Sequence, residues 1–145
     1  MIAIGSDHGG YELKEEIKKH LQEKGVEFKD FGCDEPKSID YADIAYPLAK
    51  EVAAGGCERG ILICGTGIGI SMAANKVKGI RAACCSDCFS AKLTRQHNDA
   101  NILCMGGRVV GPGLALMMVD LFLETEFEGG RHQKRIEKIA MIENE

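Results

Sequence analysis

Short apolar runs alternate with stretches of helical periodicity along the whole of this 145-residue chain. The run at residues 60–64 (GILIC) is apolar without interruption, which is typical of a strand covered on both faces. Further strands are predicted at residues 1–6, 26–31, 80–85 and 101–105, and helices at residues 11–24, 41–53, 70–77, 88–97, 112–124 and 131–143. This alternation favours a parallel sheet with helices on both faces. We therefore predict one α/β domain over residues 1–145, a three-layer α/β/α sandwich with a five-stranded parallel sheet.

Composition narrows the class of protein. The chain has 22 acidic and 18 basic residues and a net charge of −4, which disfavours a protein that binds nucleic acid over its whole surface. No apolar run approaches the ~18 residues that a membrane span requires, and the segment MIAIGSDHGG lacks the pattern of a signal peptide. We therefore expect a cytoplasmic protein without nucleic-acid or membrane partners. Its seven cysteines are an odd number, which argues against a disulfide framework and predicts that most of these thiols fill the core.

The residues that directly follow the strands are the first place to search for a ligand site. In parallel sheets, ligands bind outside the carboxyl ends of the strands, where the loops meet. Those loops are residues 6–10 (SDHGG), 65–69 (GTGIG), 86–87 (SD) and 106–108 (GGR). Three of the four are polar, rich in glycine or both, which a purely structural turn does not require. The sequence therefore predicts a functional site at this edge of the sheet.

Cys64 ends the most apolar strand and is followed by a glycine-rich loop that opens a helix. A helix N-terminus offers unpaired N–H groups and a partial positive charge, which lower the pKa of a nearby thiol and stabilise an oxyanion. A thiolate here can remove a proton from a substrate, with the hydroxyl of Thr66 beside it. The alternative is a buried cysteine before a tight turn. The loop has the spacing G-x-G-x-G after the third strand and not the G-x-G-x-x-G after the first strand that dinucleotide sites use, although Asp87 lies roughly twenty residues further on, where such sites have an acidic residue. A cysteine phosphatase is also disfavoured, because Ile70 occupies the position where that class of enzyme needs an arginine.

Two histidine-containing groups are further candidates. Asp7 and His8 place an acid beside a base at the end of the first strand, unless Asp7 only caps the following helix. His97 lies in the sequence RQHN at a helix end, where it is either functional or a capping cation. An alternative zinc site would combine His97 with Cys85 and Cys88, but the chain has no second C-x-x-C pair to complete it.

Cationic side chains near the C-terminus suggest a site for a small anion. Arg131 and Arg135 are four residues apart, so both project from one helix face, and their guanidinium groups match the oxygens of a phosphate group. Arg108, in the loop after the fifth strand, is a third candidate for the same anion. The alternative is a solvated helix end without a ligand.

The helix at residues 112–124 is apolar on nearly every side. Such a helix is usually buried all round, and a chain of this length has little interior in which to bury it. We therefore predict that it packs against a second subunit. The alternative is a central helix in which Met117 and Met118 fill gaps.

Long segments of the chain resemble one known family from end to end. They are GSDHGGYELK, ILICGTGIGISMAANK, SAKLTRQHNDANILCMGGRVVG and EFEGGRHQKRIEKI, and they resemble the B-type ribose-5-phosphate isomerases. That family also contains isomerases of galactose 6-phosphate, allose 6-phosphate and some tetrulose phosphates. The resemblance implies a Rossmann-like fold, a homodimer with sites at the subunit interface, and no metal or organic cofactor. The sequence leaves open whether dimers pair into tetramers, and we expect the C-terminal helix at about residues 131–143 to contact the partner subunit.

The resemblance also implies a reaction, the interconversion of ribose 5-phosphate and ribulose 5-phosphate through a cis-enediolate, in the non-oxidative branch of the pentose phosphate pathway. It assigns the base to Cys64, which moves the proton between C1 and C2. Some relatives use a glutamate in the glycine loop instead, and the corresponding residue here is Ile70. The other roles that it implies are an anion hole of Gly65, Thr66, Gly67 and Gly69, ring opening by Asp7 and His97, phosphate binding by His8, Arg108, Arg131 and Arg135, and a ligand contact by Asn98.

Two alternatives to this function follow from the residues. One is an isomerase of another sugar phosphate, since the site residues do not distinguish the members of the family. The other is a nucleotide- or anion-binding regulatory module without chemistry. An assay for ketose formation from ribose 5-phosphate separates the enzyme from the binding module.

Overall fold

The computed structural model describes all 145 residues, and its central sheet has five strands that pair in parallel throughout. The strands are β1 (Ile2–Ser6), β2 (Phe28–Asp30), β3 (Arg59–Cys64), β4 (Ala82–Cys84) and β5 (Ile102–Gly106), in the order β2-β1-β3-β5-β4. The helices are α1 (Tyr11–Glu23), α2 (Tyr41–Ala53), α3 (Ile68–Ala74), α4 (Cys88–Asn98), α5 (Pro112–Glu124) and α6 (Arg131–Glu143). The predicted fold class is thereby confirmed.

The largest differences from the predicted boundaries are at the sheet edges and around α3. Strands β2 and β4 are each shorter than predicted because they lie at the two edges and pair on one side only. Helix α3 begins two residues earlier than residue 70, since Gly67 adopts a left-handed conformation (φ +83°) that turns the chain directly into the helix. It ends early because the side chain of Asn75 exchanges hydrogen bonds of 2.8 and 2.9 Å with the backbone of Ala82.

The side chains of β3 alternate between two apolar layers. Ile61 and Ile63 belong to the core cluster that contains residues of α1, α4 and α5, whereas Leu62 and Cys64 belong to the cluster of α2 and α3. All four are buried, which confirms the prediction of a strand covered on both faces. Cys64 thus emerges on the side of the sheet that α3 covers.

Helix α5 is not buried on every side by its own chain. Ala115, Met118, Val119 and Phe122 are fully buried, and α5 packs against α1 and α4. On the opposite side, Leu114 is 38% exposed and Met117 is 59% exposed. Met118 therefore fills the core, Met117 does not, and the predicted subunit contact remains a prediction. None of the six helices has both the length and the apolar character that a bilayer crossing requires.

Candidate active site

The site begins at the point where the strand order reverses. Strand β2 lies on one side of β1, whereas β3, β5 and β4 lie on its other side, so β1 and β3 flank the switch point of the sheet. Open parallel sheets bind ligands at such a point, outside the carboxyl ends of the strands. Asp7 directly follows β1 and Cys64 ends β3, so both lie where this rule places a ligand.

Three of the predicted loops meet at this edge. The N–H of Gly107 donates to the carbonyl of Cys64 at 2.8 Å, and the N–H of Arg108 donates to the carbonyl of Gly65 at 3.1 Å. The backbone of Gly9 approaches the same loop so closely that a Cβ there would lie 3.0 Å from the nitrogen of Gly65. The loops after β1, β3 and β5 therefore form one surface, as the sequence predicted.

The Cys64 side chain is only 4% exposed, and its sulfur accepts a hydrogen bond from the N–H of Gly67 at 3.1 Å. This donor stabilises a sulfur that carries negative charge. The hydroxyl oxygen of Thr66 accepts from the N–H of Ile68 at 3.3 Å. The N–H groups of Gly65, Thr66 and Gly69 donate to no acceptor in the chain. The loop therefore presents free donors beside a hydrogen-bonded thiol, which is the arrangement that a base and an anion hole need.

Asp7, His8 and Arg108 surround this loop. The carboxylate of Asp7, 6% exposed, accepts from the N–H of Gly9 at 2.8 Å, so it caps the short helical turn after β1, beside the glycine that approaches Gly65. Nδ1 of His8 accepts from the N–H of Ile39 at 3.2 Å, which leaves Nε2 as the proton-bearing nitrogen of the neutral ring. The guanidinium of Arg108 lies against Gly65, with Nη1 3.2 Å from the position of a Cβ on that residue. We call this group the thiol cluster; its members are Asp7, His8, Cys64, Gly65, Thr66, Gly67, Gly69 and Arg108.

The remaining predicted residues lie in a second group, at the end of α4 and the start of α6. We call it the arginine cluster; its members are His97, Asn98, Arg131 and Arg135. The two arginines line one groove of about 300 Å³ together with Lys134 and Lys138. No hydrogen bond or ion pair within the chain joins the arginine cluster to the thiol cluster. Arg108 thus lies with the thiol, and not with the other two arginines.

A cleft of about 400 Å³ runs beside α4 between the neighbourhoods of the two clusters. Cys84 and Phe89 line it at one end, and His97 and Asn98 line it at the other. The sulfur of Cys84 lies 3.8 Å from the carbonyl oxygen of Thr66, so this end of the cleft adjoins the glycine loop.

The match to known proteins decides the family. A family model described as Ribose/Galactose Isomerase matches residues 2–139. The chain belongs to the ribose/galactose isomerase family. The resemblance found in the sequence is thereby confirmed.

Relatives within this family match the chain over nearly its whole length. The putative sugar phosphate isomerase YwlF of Bacillus subtilis is 57% identical over 143 residues, 98% of this chain and 96% of the relative. The ribose-5-phosphate isomerase B of Escherichia coli is 55% identical over 142 residues, with coverage of 98% and 95%. The D-erythrulose-4-phosphate isomerase of Pectobacterium atrosepticum is 44% identical over 145 residues, with coverage of 99% and 95%. The chain is therefore a sugar-phosphate isomerase, and the sugar differs among its relatives.

Solved structures of the family share the fold. The ribose-5-phosphate isomerase B of Clostridium thermocellum matches with a TM-score of 0.97 and 56% identity, covering 99% of this chain and 97% of that chain. The enzyme of Mycoplasma genitalium, solved with bound ribulose-5-phosphate, matches with a TM-score of 0.95 and 46% identity, covering 99% and 96%.

Three cysteines outside the thiol cluster have thiols with raised pKa values. Burial raises the pKa of the Cys85 thiol to about 11 and raises that of Cys104 well above its ordinary value. Desolvation also raises the pKa of the more exposed Cys84. These thiols stay protonated near neutral pH, and the buried Cys85 and Cys104 fill the core as predicted.

Two alternative sites are not supported. The side chain of Asp87 accepts from the N–H and the hydroxyl of Ser90 at 2.7 and 2.9 Å, so it caps α4 and is not a free nucleotide ligand. The cluster with metal-ligand spacing contains His97 but neither Cys85 nor Cys88, so the proposed C-x-x-C zinc site does not form.

Sequence analysis missed two neighbours of His97. The ring of His132 stacks on that of His97 with centroids 4.3 Å apart, and Glu128 lies 4.0 Å from Nε2 of His97. Burial lowers the pKa of His132, and the positive charges of Arg131 and Arg135 lower it further, so its ring is neutral at pH 7. His132 stood within the recognised motif GGRHQKR, but only the packing of α6 on α4 reveals its contact.

Proposed function

We propose that this chain is a ribose-5-phosphate isomerase that interconverts ribose 5-phosphate and ribulose 5-phosphate. The observation that carries the proposal is the sulfur of Cys64, hydrogen-bonded to Gly67 among three free N–H donors at the switch point of the sheet. The binding of ribulose-5-phosphate by the Mycoplasma genitalium relative supports this choice of sugar.

In the proposed reaction, Asp7 and His97 first move the protons that open the furanose ring. The thiolate of Cys64 then removes the proton from C2 of the open aldose, and the electron pair of that C–H bond forms the enediolate double bond. The free N–H groups of Gly65, Thr66 and Gly69 hold the negative oxygen. A proton then passes from the hydroxyl oxygen on C2 to the oxygen on C1. Return of the proton from sulfur to C1 completes the ketose, so no hydride acceptor is required. The fully buried Ile70 leaves the loop without a carboxylate that could replace the thiol.

We further propose that one complete site contains the thiol cluster of one chain and the arginine cluster of its partner. The apolar residues exposed on α5 and α6 support a subunit contact there. Met117 is 59% exposed, and on α6 Ile139, Met141 and Ile142 are 44%, 69% and 72% exposed. Apolar surface of this kind is stabilised when a second copy covers it. The phosphate of the sugar would then contact His8 and Arg108 of one chain and Arg131 and Arg135 of the other.

The sugar specificity is tested by a comparison of substrates. We expect ketose formation from ribose 5-phosphate with a kcat/KM at least about tenfold above that for allose 6-phosphate or galactose 6-phosphate, because an extra carbon changes the distance between the carbonyl and the phosphate site. D-Erythrulose 4-phosphate belongs in the same panel, since one relative is named for it. It is already a ketose, so its turnover is measured as formation of the aldose. A higher kcat/KM for any of these sugars would replace ribose 5-phosphate as the substrate, and no turnover at all would favour the binding module.

The shared site is tested by mixing two inactive variants. Cys64→Ser damages the thiol cluster, and Arg131→Ala combined with Arg135→Ala damages the arginine cluster. If sites are shared, random reassociation makes half of the dimers mixed, and each mixed dimer has one intact site. We then expect about one quarter of the wild-type activity. As a control, each variant is mixed with itself. If the mixture of the two different variants is no more active than these controls, both clusters of a site belong to one chain.

A further inference from the structure

Three side chains with metal-binding atoms come together where α6 begins. A ring nitrogen of His97, a ring nitrogen of His132 and a carboxylate oxygen of Glu128 all lie within 4.8 Å of one another. His97 belongs to α4, His132 to α6, and Glu128 to the segment between α5 and α6. We call this group the His–Glu–His cluster.

The backbone holds the cluster in place. The N–H of Glu128 donates to the carbonyl of Gln96 at 3.1 Å, next to His97, and the N–H of His132 donates to the carbonyl of Gly129 at 3.0 Å. The main chain of all three ligands is therefore ordered before an ion arrives, which lowers the entropic cost of binding.

His132 gives an independent reason to expect a ligand. Its side chain is only 5% exposed, and its Nε2 has no hydrogen-bond partner. Buried polar atoms are almost always paired, and an unpaired one is commonly satisfied by a bound water or ion. The orphaned nitrogen belongs to the one residue of the cluster that cannot turn toward solvent.

We propose that the His–Glu–His cluster binds a divalent transition-metal ion such as Zn²⁺. Two imidazoles and a carboxylate are a ligand set that zinc accepts, and three protein ligands leave a fourth position for water. Metal–ligand bonds of roughly 2.1 Å place tetrahedral ligands about 3.4 Å apart, so the ligand atoms must approach one another by about 1 Å.

His97 provides the movement that this contraction requires. Its ring lies nearly parallel to that of His132, at 14°, so the two rings must diverge before their nitrogens can face one ion. The His97 side chain is 37% exposed, so solvent leaves room for its ring to turn, whereas His132 is buried. Metal binding thus unstacks the rings of His97 and His132 and directs one nitrogen of each ring toward the ion.

The metal acts as an inhibitor, because coordination takes up the nitrogen lone pair that the neutral His97 ring needs to accept a proton. The expected inhibition depends on the proposed function, in which His97 takes part in ring opening. The binding of the metal does not depend on that function. The nearby guanidinium groups of Arg131 and Arg135 oppose a cation. We therefore expect a dissociation constant on the order of 1 µM, weaker than that of structural zinc sites.

Calorimetric titration of the metal-free wild-type protein with Zn²⁺, in buffer without phosphate, tests the binding. We expect one ion per chain, and no binding of Mg²⁺ because that ion prefers a shell of oxygen ligands. Glu128→Gln should weaken Zn²⁺ binding at least about tenfold. The matched control Glu126→Gln, an exposed carboxylate two residues away, should leave it unchanged. Equal affinity in the Glu128→Gln and wild-type proteins would overturn the site.

The same titration of Cys64→Ser separates the cluster from the thiol. Retained affinity supports the His–Glu–His cluster, while loss of binding would assign the ion to Cys64 and overturn the proposal. Turnover of the wild-type enzyme should fall in micromolar Zn²⁺ and recover with a chelator, and Glu128→Gln should resist this inhibition. If zinc binds as expected but turnover does not fall, the metal-site proposal is supported and the proposed ring-opening role of His97 is wrong.

Discussion

Replacement of Cys64 by serine should reduce kcat for the isomerisation by about 10³ while the sugar phosphate still binds. The reduction follows from the loss of the base, since general-base catalysis contributes about 10²–10⁴ in rate and a hydroxyl is a far weaker acid than a thiol. Serine keeps the shape of the side chain and can accept the hydrogen bond that Gly67 donates to the sulfur. Steady-state kinetics and an independent binding measurement give kcat and affinity separately.

The matched control for this experiment is Cys84→Ser. Cys84 lies 3.8 Å from the carbonyl oxygen of Thr66, so the control makes the same chemical change beside the same loop. We expect its kcat to remain within about twofold of the wild type, because the pKa of the Cys84 thiol is raised by desolvation and it is not placed as a base. Unchanged kcat in Cys64→Ser, or an equal reduction in Cys84→Ser, would remove Cys64 from its proposed role.

Asp30→Asn should destabilise the fold by about 3–5 kcal/mol, since it leaves a buried cation without its counterion. The Lys14 side chain is fully buried, and its Nζ donates to both carboxylate oxygens of Asp30 at 2.9 and 3.0 Å and to the carbonyl of Cys33. Asp30 also accepts from the N–H of Gly32 at 2.8 Å, and the carbonyl of Gly32 accepts from Ser6 at 2.7 Å. Urea unfolding at neutral pH measures the free-energy change.

The control for Asp30→Asn is Glu15→Gln. Glu15 belongs to the same group of charges, 3.7 Å from Lys14 and 3.0 Å from Lys18, but its side chain is 41% exposed. Removal of an exposed carboxylate should cost less than about 1 kcal/mol. If the two variants lost equal stability, the burial of the Lys14–Asp30 pair would not be the source of the effect.

The same pair makes stability depend on pH. Burial alone would raise the pKa of Asp30, but hydrogen bonds from Lys18, Gly32 and Lys14 outweigh it and hold the pKa below its ordinary value of 3.8. A carboxyl group with a depressed folded-state pKa stabilises the fold above its unfolded pKa and loses that contribution as the pH falls through the folded value. We therefore expect the difference between the wild type and Asp30→Asn to shrink as the pH falls below about 3.8.

The sequence was sufficient to predict the order of helices and strands because the apolar pattern of each element lies within its own residues. The periodicity of apolar residues predicted helices at residues 41–53, 112–124 and 131–143 with the bounds that the structure has. It overestimated the edge strands, whose length depends on pairing with a neighbour and not on local propensity. The thiol cluster was also predictable, since its loops directly follow parallel strands, which all end at the same edge of a sheet.

Contacts between elements distant in the chain required the tertiary structure. His132 and Glu128 beside His97, the buried pair of Lys14 and Asp30, and the exposed side of α5 depend on how helices pack, and single-chain periodicity does not specify that packing. The amino-acid sequence by itself therefore determined the parallel α/β fold, the family and the position of Cys64 at the carboxyl edge of the sheet. Only the folded chain decided that the thiol and arginine clusters are separate, because α6 packs on α4, where the rings of His97 and His132 stack, and not on the loop of Cys64.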